Sequence, residues 1–149
     1  MGGMLVLEEI EMLRDLTPAA ILTRLLLSVI LGGVLGVERE QKRKPAGFRT
    51  YVIVCLGAAL VMLTNQYAHI YMGAPDSTRL AAQVISGIGF LGAGTILVTK
   101  NNQVRGLTTD AGLWAAAALG LAEGCGFYSG EIMAFLAILI HIKVRQVLA

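Results

Sequence analysis

The chain has 149 residues and a formal charge of +2; 56% of its residues are hydrophobic and only 15% are charged. Because a soluble domain carries about 25% charged residues, this composition excludes an ordinary soluble domain and indicates a membrane protein. The small net charge also argues against a nucleic-acid binder. Cys55 and Cys125 lie in or beside apolar runs and form no CxxC pair, which predicts small core residues rather than a metal site.

Five apolar runs follow one another along the chain, and each approaches the roughly 20 residues that a membrane-spanning helix requires. They occupy about 19–37, 51–72, 80–98, 107–122 and 127–142. The first is preceded by acids, whereas a cleavable signal peptide begins with basic residues, so it is expected to remain in the mature protein. We therefore predict an all-α, polytopic membrane protein in which residues 1–149 form a single domain of about five transmembrane helices.

Basic residues are distributed unevenly between the two sides that these helices would create. Most Lys and Arg lie after the first, third and fifth runs, and the loop 38–50 holds the largest group. The opposite side carries more acids, among them Glu8, Glu9, Glu11 and Asp15. Because cytoplasmic loops are enriched in Lys and Arg, we predict that the amino terminus is outside and the carboxyl terminus inside.

The first run carries one charged side chain, Arg24, near its outer end. One interpretation is a snorkelling side chain that reaches the outer water. The other is a buried ion pair with Asp76, Glu123 or Glu131, which the orientation places on the same side.

The inner end of the first run contains two acids, Glu38 and Glu40. Acids at a helix carboxyl end oppose the helix dipole, so both are expected to have cationic partners. The candidates are Arg39, Lys44 and Arg49. The leading interpretation is a salt-bridge cluster that ties two helices together. The alternatives are a ligand or cation site formed by the carboxylates, and a basic loop attracted to anionic inner-leaflet lipid.

The third run contains polar residues and glycines within an otherwise apolar stretch. Gln83 and Ser86 are expected to hydrogen-bond across helices. The glycines are Gly87, Gly89, Gly92 and Gly94. They predict either close packing against another backbone or a local break that lines a polar cavity. We expect glycine contacts between the first, third and fourth helices, and self-association, most simply as a dimer. Asp76 or Ser77 is expected to cap this helix at its start near Arg79.

Asp110 lies near the inner start of the fourth run, in the segment Gly106-Leu-Thr-Thr-Asp-Ala-Gly-Leu-Trp114. The simpler role is a first-turn acid stabilised by the helix dipole, with Thr108 as the cap. The alternative is a cluster with the carboxylates of the first run that holds a proton or a hard cation through oxygen ligands. Trp114 is either an interface anchor or a packing residue.

Catalytic motifs are absent from the sequence: it has no Gly-rich phosphate loop, nucleophile elbow or His/carboxylate metal pattern. An enzyme is therefore not expected. No cofactor is predicted, and magnesium is the one ion for which weak candidate ligands exist, namely Glu38, Glu40 and Asp110.

Five motifs in order resemble the bacterial MgtC/SapB membrane domain over roughly residue 24 to the end of the chain. They are Gly36-Val-Glu-Arg-Glu40, Lys44-Pro-Ala-Gly-Phe-Arg-Thr50, Leu56-Gly-Ala-Ala59, the segment from Arg79 to Gly94, and Val104-Arg-Gly-Leu-Thr-Thr109 with Trp114. The resemblance implies a multi-pass protein of the bacterial inner membrane that is associated with magnesium limitation, acid stress and virulence. It further implies a regulator that inhibits the membrane ATP synthase. Two departures are a chain that stops before the cytoplasmic domain of longer members, and Asp110 where a small residue is usual.

Taken together, these observations predict a non-enzymatic regulator of magnesium or proton homeostasis that contacts the lipid bilayer, a second copy of itself and another membrane protein such as ATP synthase. The alternatives are a magnesium or other cation transporter or channel, and a lipid-binding scaffold. The candidate functional or structural residues are Arg24, Glu38, Arg39, Glu40, Lys44, Arg49, Thr50, Asp76, Arg79, Gln83, Ser86, Gly87, Gly89, Gly92, Gly94, Gly106, Thr108, Thr109, Asp110 and Trp114.

Overall fold

The computed structural model describes residues 12–98 and 103–147, and within these ranges the chain is all-helical apart from one short hairpin. Glu8, Glu9 and Glu11, which are predicted to lie on the outer side, are outside the described residues. The helices are α1 (Pro18–Gln41), α2 (Phe48–Met72), α3 (Arg79–Ala93), α4 (Leu107–Cys125) and α5 (Tyr128–Val147). Strands β1 (Leu97–Val98) and β2 (Val104–Arg105) pair antiparallel between α3 and α4.

The helices begin and end at residues whose side chains or backbone conformations are suited to helix ends. The Thr17 hydroxyl accepts a hydrogen bond from the Ala20 amide (3.2 Å), and Pro18 occupies the first turn of α1. At the carboxyl end of α2, Gly73 adopts φ = 68°, a left-handed conformation that suits glycine. Gly126 ends α4 in the same way, with φ = 76°. These local signals explain why the helix boundaries fall close to the predicted runs.

Helix α2 lies between α1 and α4, and the glycines of both neighbours face it. A Cβ at Gly36 would lie 2.6 Å from the Phe48 Cα, and a Cβ at Gly124 would lie 2.6 Å from the Ala59 carbonyl oxygen. Gly32 and Gly120 meet the same helix. The predicted glycine contacts between the first, third and fourth helices are therefore corrected in part: the glycine faces of α1 and α4 pack on α2, whereas Gly92 of α3 does lie against α4, at Asp110.

The buried core lies where α1, α2 and α4 meet. It is formed by Leu35, Tyr51, Cys55, Leu113 and Ala116, and side chains of α5 pack against it from the outside. The second helix contributes three small buried residues, Cys55, Ala58 and Ala59, beside the larger Tyr51 and Leu63. Small residues let helices approach closely, which is the main source of packing energy where no water is expelled.

Helix α3 ends earlier than predicted, at Ala93 rather than near residue 98. The Thr95 hydroxyl donates to the Gly92 carbonyl (2.8 Å), and residues 97–98 pair with 104–105. The β-branched residues after Gly94 favour this extended pairing over another helical turn. With 15 residues, α3 is about 22 Å long, which is shorter than the roughly 30 Å of a bilayer's hydrocarbon core.

Large apolar side chains cover the outside of the molecule. Leu22, Leu26, Ile30 and Val34 form one exposed row along α1, and α2 and α5 carry similar exposed residues. Such a continuous apolar surface is unusual on a soluble monomer and indicates contact with lipid or protein. Among the described helices, α1 and α2 are long and apolar enough to cross a membrane, whereas α3 and the apolar part of α5 (Tyr128–Ile142) are shorter.

Candidate functional site

Arg24 lies in the second turn of α1, and its side chain is completely buried, with 0% exposed. Its Nε atom donates to the Leu13 carbonyl (2.7 Å) and to the Tyr128 hydroxyl (3.1 Å). Its Nη1 atom donates to Gln66 Oε1 (3.2 Å) and to the Gly124 carbonyl (3.1 Å). One guanidinium therefore connects α1 to α2, α4, α5 and the segment before α1, and it does not reach the surface.

Two carboxyl groups accompany Arg24 in the interior. Glu123, in the last turn of α4, is 1% exposed, and Glu131, in the first turn of α5, is 4% exposed. The two side chains are hydrogen-bonded to each other, and Glu123 lies within electrostatic range of Arg24. Two carboxylates in contact cannot both stay ionised in a buried site, so the pair holds one proton and Arg24 balances the remaining charge. We call Arg24, Gln66, Glu123, Tyr128 and Glu131 the Arg24 cluster.

The third predicted partner of Arg24, Asp76, lies elsewhere, in the loop between α2 and α3. The backbone amide and the hydroxyl of Thr78 both donate to Asp76 Oδ1 (2.8 Å each). These hydrogen bonds hold the pKa of the Asp76 carboxyl below its usual value. The start of α3 is also held from α2, because Asn65 Oδ1 accepts a hydrogen bond from the Leu80 amide (3.0 Å).

The acids at the inner end of α1 have different partners. Glu38 forms ion pairs with Arg39 (2.6 Å) and with Lys42 (2.6 Å), both on its own helix. Glu40 Oε2 accepts the Phe48 amide hydrogen (2.9 Å), which caps α2. The predicted ion-pair cluster between two helices is corrected accordingly, because a carboxylate-to-amide hydrogen bond makes this connection instead.

Asp110 lies in the first turn of α4, and its Oδ1 atom occupies the space in which a side chain at Gly92 would begin. Glycine at position 92 is therefore required for the close approach of α3 and α4. The predicted Thr108 cap is not formed, because Gly106 is the N-cap residue and its carbonyl accepts the amides of Thr109 and Asp110. Within residues 12–98 and 103–147, no group of three or more His, Cys, Asp or Glu side chains is arranged to hold a metal ion.

A cavity of about 400 Å³ lies between α1, α4 and α5. Its polar lining comes from Arg39, Tyr51, Thr108 and His141, and the rest is apolar. The Tyr51 hydroxyl donates to the Thr109 carbonyl (3.3 Å), which fixes the wall between this cavity and the core.

Helix α3 presents an exposed face of mixed character, which we call the α3 face: Gln83, Ser86, Gly87, Phe90 and Gly94. Their spacing of three or four residues places them on one side of the helix. Phe90 is 86% exposed, and a Cβ at Gly87 would meet no atom within 4 Å. Gln83 and Ser86 make no hydrogen bond to any other side chain or backbone group of the described residues. The cross-helix hydrogen bonds predicted for them do not occur within this chain.

The remaining predicted residues lie at the surface. Gly89 of α3 has open space around it, as Gly87 has. Exposed positions are also found for Lys44, Arg49, Thr50, Arg79 and Trp114.

Sequence reasoning missed Asn65, Gln66 and Tyr128 as functional or structural residues. Asn65 and Gln66 are adjacent polar residues within an apolar run, Tyr128 lies at the start of another, and polar groups at membrane depth are expected to have partners. That signal was available, but the identity of the partners required the packed structure.

Comparison with known proteins identifies the family to which this chain belongs. A family model described as the MgtC family matches residues 25–149. The chain is 44% identical to an uncharacterised protein of Haemophilus influenzae over 130 residues, which cover 83% of this chain and 55% of that protein. It is 40% identical to "Protein SapB" of Bacillus subtilis over 128 residues (83% and 55%). It is also 40% identical to "Putative magnesium transporter YhiD" of Escherichia coli K12 over 132 residues (80% and 60%). No solved structure matches significantly.

Proposed function

Because this chain belongs to the MgtC family, we propose that it is a non-enzymatic, multi-pass protein of the bacterial inner membrane that acts in magnesium and proton homeostasis. The chain spans between 55% and 60% of the length of the relatives compared above, so the proposal concerns the membrane part that these proteins share. One relative carries the name of a putative magnesium transporter.

The proposed topology has five spans, with the amino terminus outside and the carboxyl terminus inside. It is supported by the antiparallel succession of helices, which gathers the Arg24 cluster at one end of the molecule. The opposite end holds the basic loop between α1 and α2, and that end is cytoplasmic under the positive-inside rule. The exposed apolar row of α1 is the surface that acyl chains would cover.

The proposed mode of action is contact with other membrane proteins through the α3 face. One observation carries it: Gln83 and Ser86 are exposed on a helix whose other residues are mostly apolar. In a bilayer these groups would face hydrocarbon without partners, which is unfavourable, whereas a second helix could approach closely over Gly87 and pair with them. A second copy of this chain is the first partner proposed, and a membrane ATP synthase is the second, because the family resemblance implies it.

A photo-crosslinking amino acid at position 86 tests this proposal in cells grown at low magnesium. We expect position 86 to crosslink to protein, with the mass of a dimer or of an ATP synthase subunit. The matched control is position 26, in the lipid-facing row of α1, where we expect no protein adduct. Equal protein crosslinking at both positions, or none at position 86, would overturn the proposed contact.

Magnesium transport is the second candidate function, favoured by the name of the Escherichia coli relative. In that case Asp110, which lies at the contact between α3 and α4, is the candidate ion ligand. Protein reconstituted into liposomes with a magnesium indicator would show flux, and Asp110→Asn would abolish it. Absence of flux at every gradient and pH would remove this candidate.

A further inference from the structure

A second cavity, of about 620 Å³, lies at the amino-terminal end of α4. We call it the α4 cavity. Its walls come from the α1–α2 loop, the β1–β2 hairpin and the first turn of α4. Three cationic side chains line it: Arg43 and Lys44 from the loop and Arg105 from the hairpin.

The positive charges around the α4 cavity are not balanced by acidic side chains of residues 12–98 and 103–147. None of the described residues that line it is acidic. Arg43, Lys44 and Arg105 form no ion pair with a carboxylate of the described residues, whereas nearby Lys42 is paired with Glu38. The cavity therefore carries a formal charge that an anion would neutralise.

The polar groups of the lining fit an oxyanion. Thr95, Thr108 and Thr109 contribute hydroxyl groups or backbone to the wall. The first amides of a helix lack intrahelical acceptors and lie at the positive end of the helix dipole, which favours bound anions. In α4 these are the amides of Leu107 and Thr108, because those of Thr109 and Asp110 donate to the Gly106 carbonyl. The Thr95 carbonyl occupies the space where a side chain at Gly106 would begin, so the hairpin is held against this helix start.

Arg43 shows that this arrangement has a conformational cost. Its φ of 50° makes it the one non-glycine residue with positive φ in the described part of the chain. Glycine or asparagine occupies such a position with less strain. This conformation ends α1, with the Arg43 amide donating to the Glu40 carbonyl (2.9 Å) and the Lys44 amide donating to the Arg39 carbonyl (3.1 Å), and it places both cationic residues in the cavity wall.

We propose that the α4 cavity binds the phosphate group of an anionic ligand, either the headgroup of a phospholipid or a soluble phosphorylated molecule. Arg43, Lys44 and Arg105 neutralise the phosphate, and the free amides at the start of α4 together with the Thr108 hydroxyl donate hydrogen bonds to its oxygens. This site is separate from the α3 face and from the Arg24 cluster, and it does not depend on the proposed function.

Two arms of one experiment distinguish the sources of the phosphate. In the first arm, the protein in phosphatidylcholine nanodiscs is titrated with inorganic pyrophosphate by calorimetry. In the second arm, the protein is released from nanodiscs of phosphatidylglycerol and phosphatidylcholine in a native mass spectrometer. The lipid molecules of each type that stay bound to the protein are then counted. Binding in the first arm identifies a soluble ligand, and preferential retention of phosphatidylglycerol identifies a lipid.

Matched variants distinguish specific binding of the phosphate in the α4 cavity from nonspecific attraction of an anion to surface cations. Arg105→Ala is expected to weaken binding at least about fivefold in the responding arm. Arg49→Ala removes an equal charge at the same end of the molecule, outside the cavity, and is expected to change binding less than about twofold. Arg43→Gly should raise the thermal midpoint, because it relieves the positive φ, and should still lose binding. The proposal is overturned by no binding in either arm, by equal losses for Arg105→Ala and Arg49→Ala, or by unchanged binding in Arg43→Gly.

Discussion

At the scale of single residues, the most consequential feature is the position of Arg24. A charge at membrane depth is stable only when it is paired and hydrogen-bonded, and Arg24 meets these conditions through a carbonyl, an amide, a phenol and a nearby carboxylate. Every partner except the Leu13 and Asp15 carbonyls lies on another helix. The Arg24 cluster therefore links the positions of α1, α2, α4 and α5 at one end of the protein.

Removing the Arg24 charge is expected to be strongly destabilising. Arg24→Met leaves the charge of the Glu123–Glu131 pair uncompensated, at a cost of about 3–5 kcal/mol in the free energy of unfolding. Denaturation of the purified protein in mixed micelles measures this loss. Arg49→Met, which removes an exposed cation, is the control and should change stability by less than about 0.5 kcal/mol. Similar losses for the two variants would mean that the cluster does not stabilise the fold.

The two acids of the cluster are expected to respond differently to neutralisation. We expect Glu131 to carry the shared proton, because Glu123 is the acid that lies within electrostatic range of Arg24. Glu131→Gln keeps a donor at this point and should cost less than about 1 kcal/mol, whereas Glu123→Gln removes the counter-charge of Arg24 and should cost more. Infrared spectroscopy provides the second readout, since the band of a protonated carboxyl should disappear in Glu131→Gln. A band that persists in this variant would reverse the assignment of the proton.

At the scale of elements, the glycines differ in what surrounds them. Gly32 and Gly36 of α1 and Gly120 and Gly124 of α4 lie against the α2 backbone, where a Cβ would clash, whereas Gly87 and Gly89 of α3 face open space. Gly92 is the glycine of α3 that is packed, because the Asp110 carboxylate lies over it. The same residue type therefore serves internal packing on α1, on α4 and at Gly92, whereas at Gly87 and Gly89 it leaves open space.

Leucine substitutions at two of these glycines should separate the two roles. Gly124→Leu introduces a side chain where 2.6 Å separates the Cβ position from the Ala59 carbonyl oxygen, so this variant is expected not to fold. Gly87→Leu meets no atom within 4 Å, so the monomer should fold with little loss of stability and should lose the crosslink from position 86. Size-exclusion chromatography and the crosslinking assay check both outcomes. A folded Gly124→Leu, or a Gly87→Leu that unfolds, would contradict this division.

At the scale of the whole molecule, the exposed apolar surface and the alternating direction of the helices both fit a protein that crosses a membrane several times. The Arg24 cluster gathers residues from helix ends that alternate along the chain, and the basic loop, the start of α4 and His141 gather at the other end. A membrane protein that inserts in one orientation is expected to have two ends of different chemistry. The absolute orientation stays a prediction from the distribution of cations.

Cysteine labelling in intact cells tests this orientation. A membrane-impermeant maleimide should label Ser77→Cys from outside, because this loop is predicted to be external, and should label Gln41→Cys only after the membrane is opened. The parent chain gives the background from Cys55, which is buried, and from Cys125, which is half-buried. The reverse labelling pattern would invert the topology without changing the fold.

The sequence by itself determined the family and the places of the helices and predicted the membrane class, because composition, ordered motifs and runs of apolar residues are local properties. Each predicted run corresponds to a helix, and the family assignment is confirmed. Only the tertiary structure decided that α2 is central, that α3 stops at Ala93, and that Arg24 meets the Gly124 carbonyl across 100 residues of chain. These features depend on which surfaces meet, and a glycine or an isolated polar residue fits many partners equally well until the helices are packed.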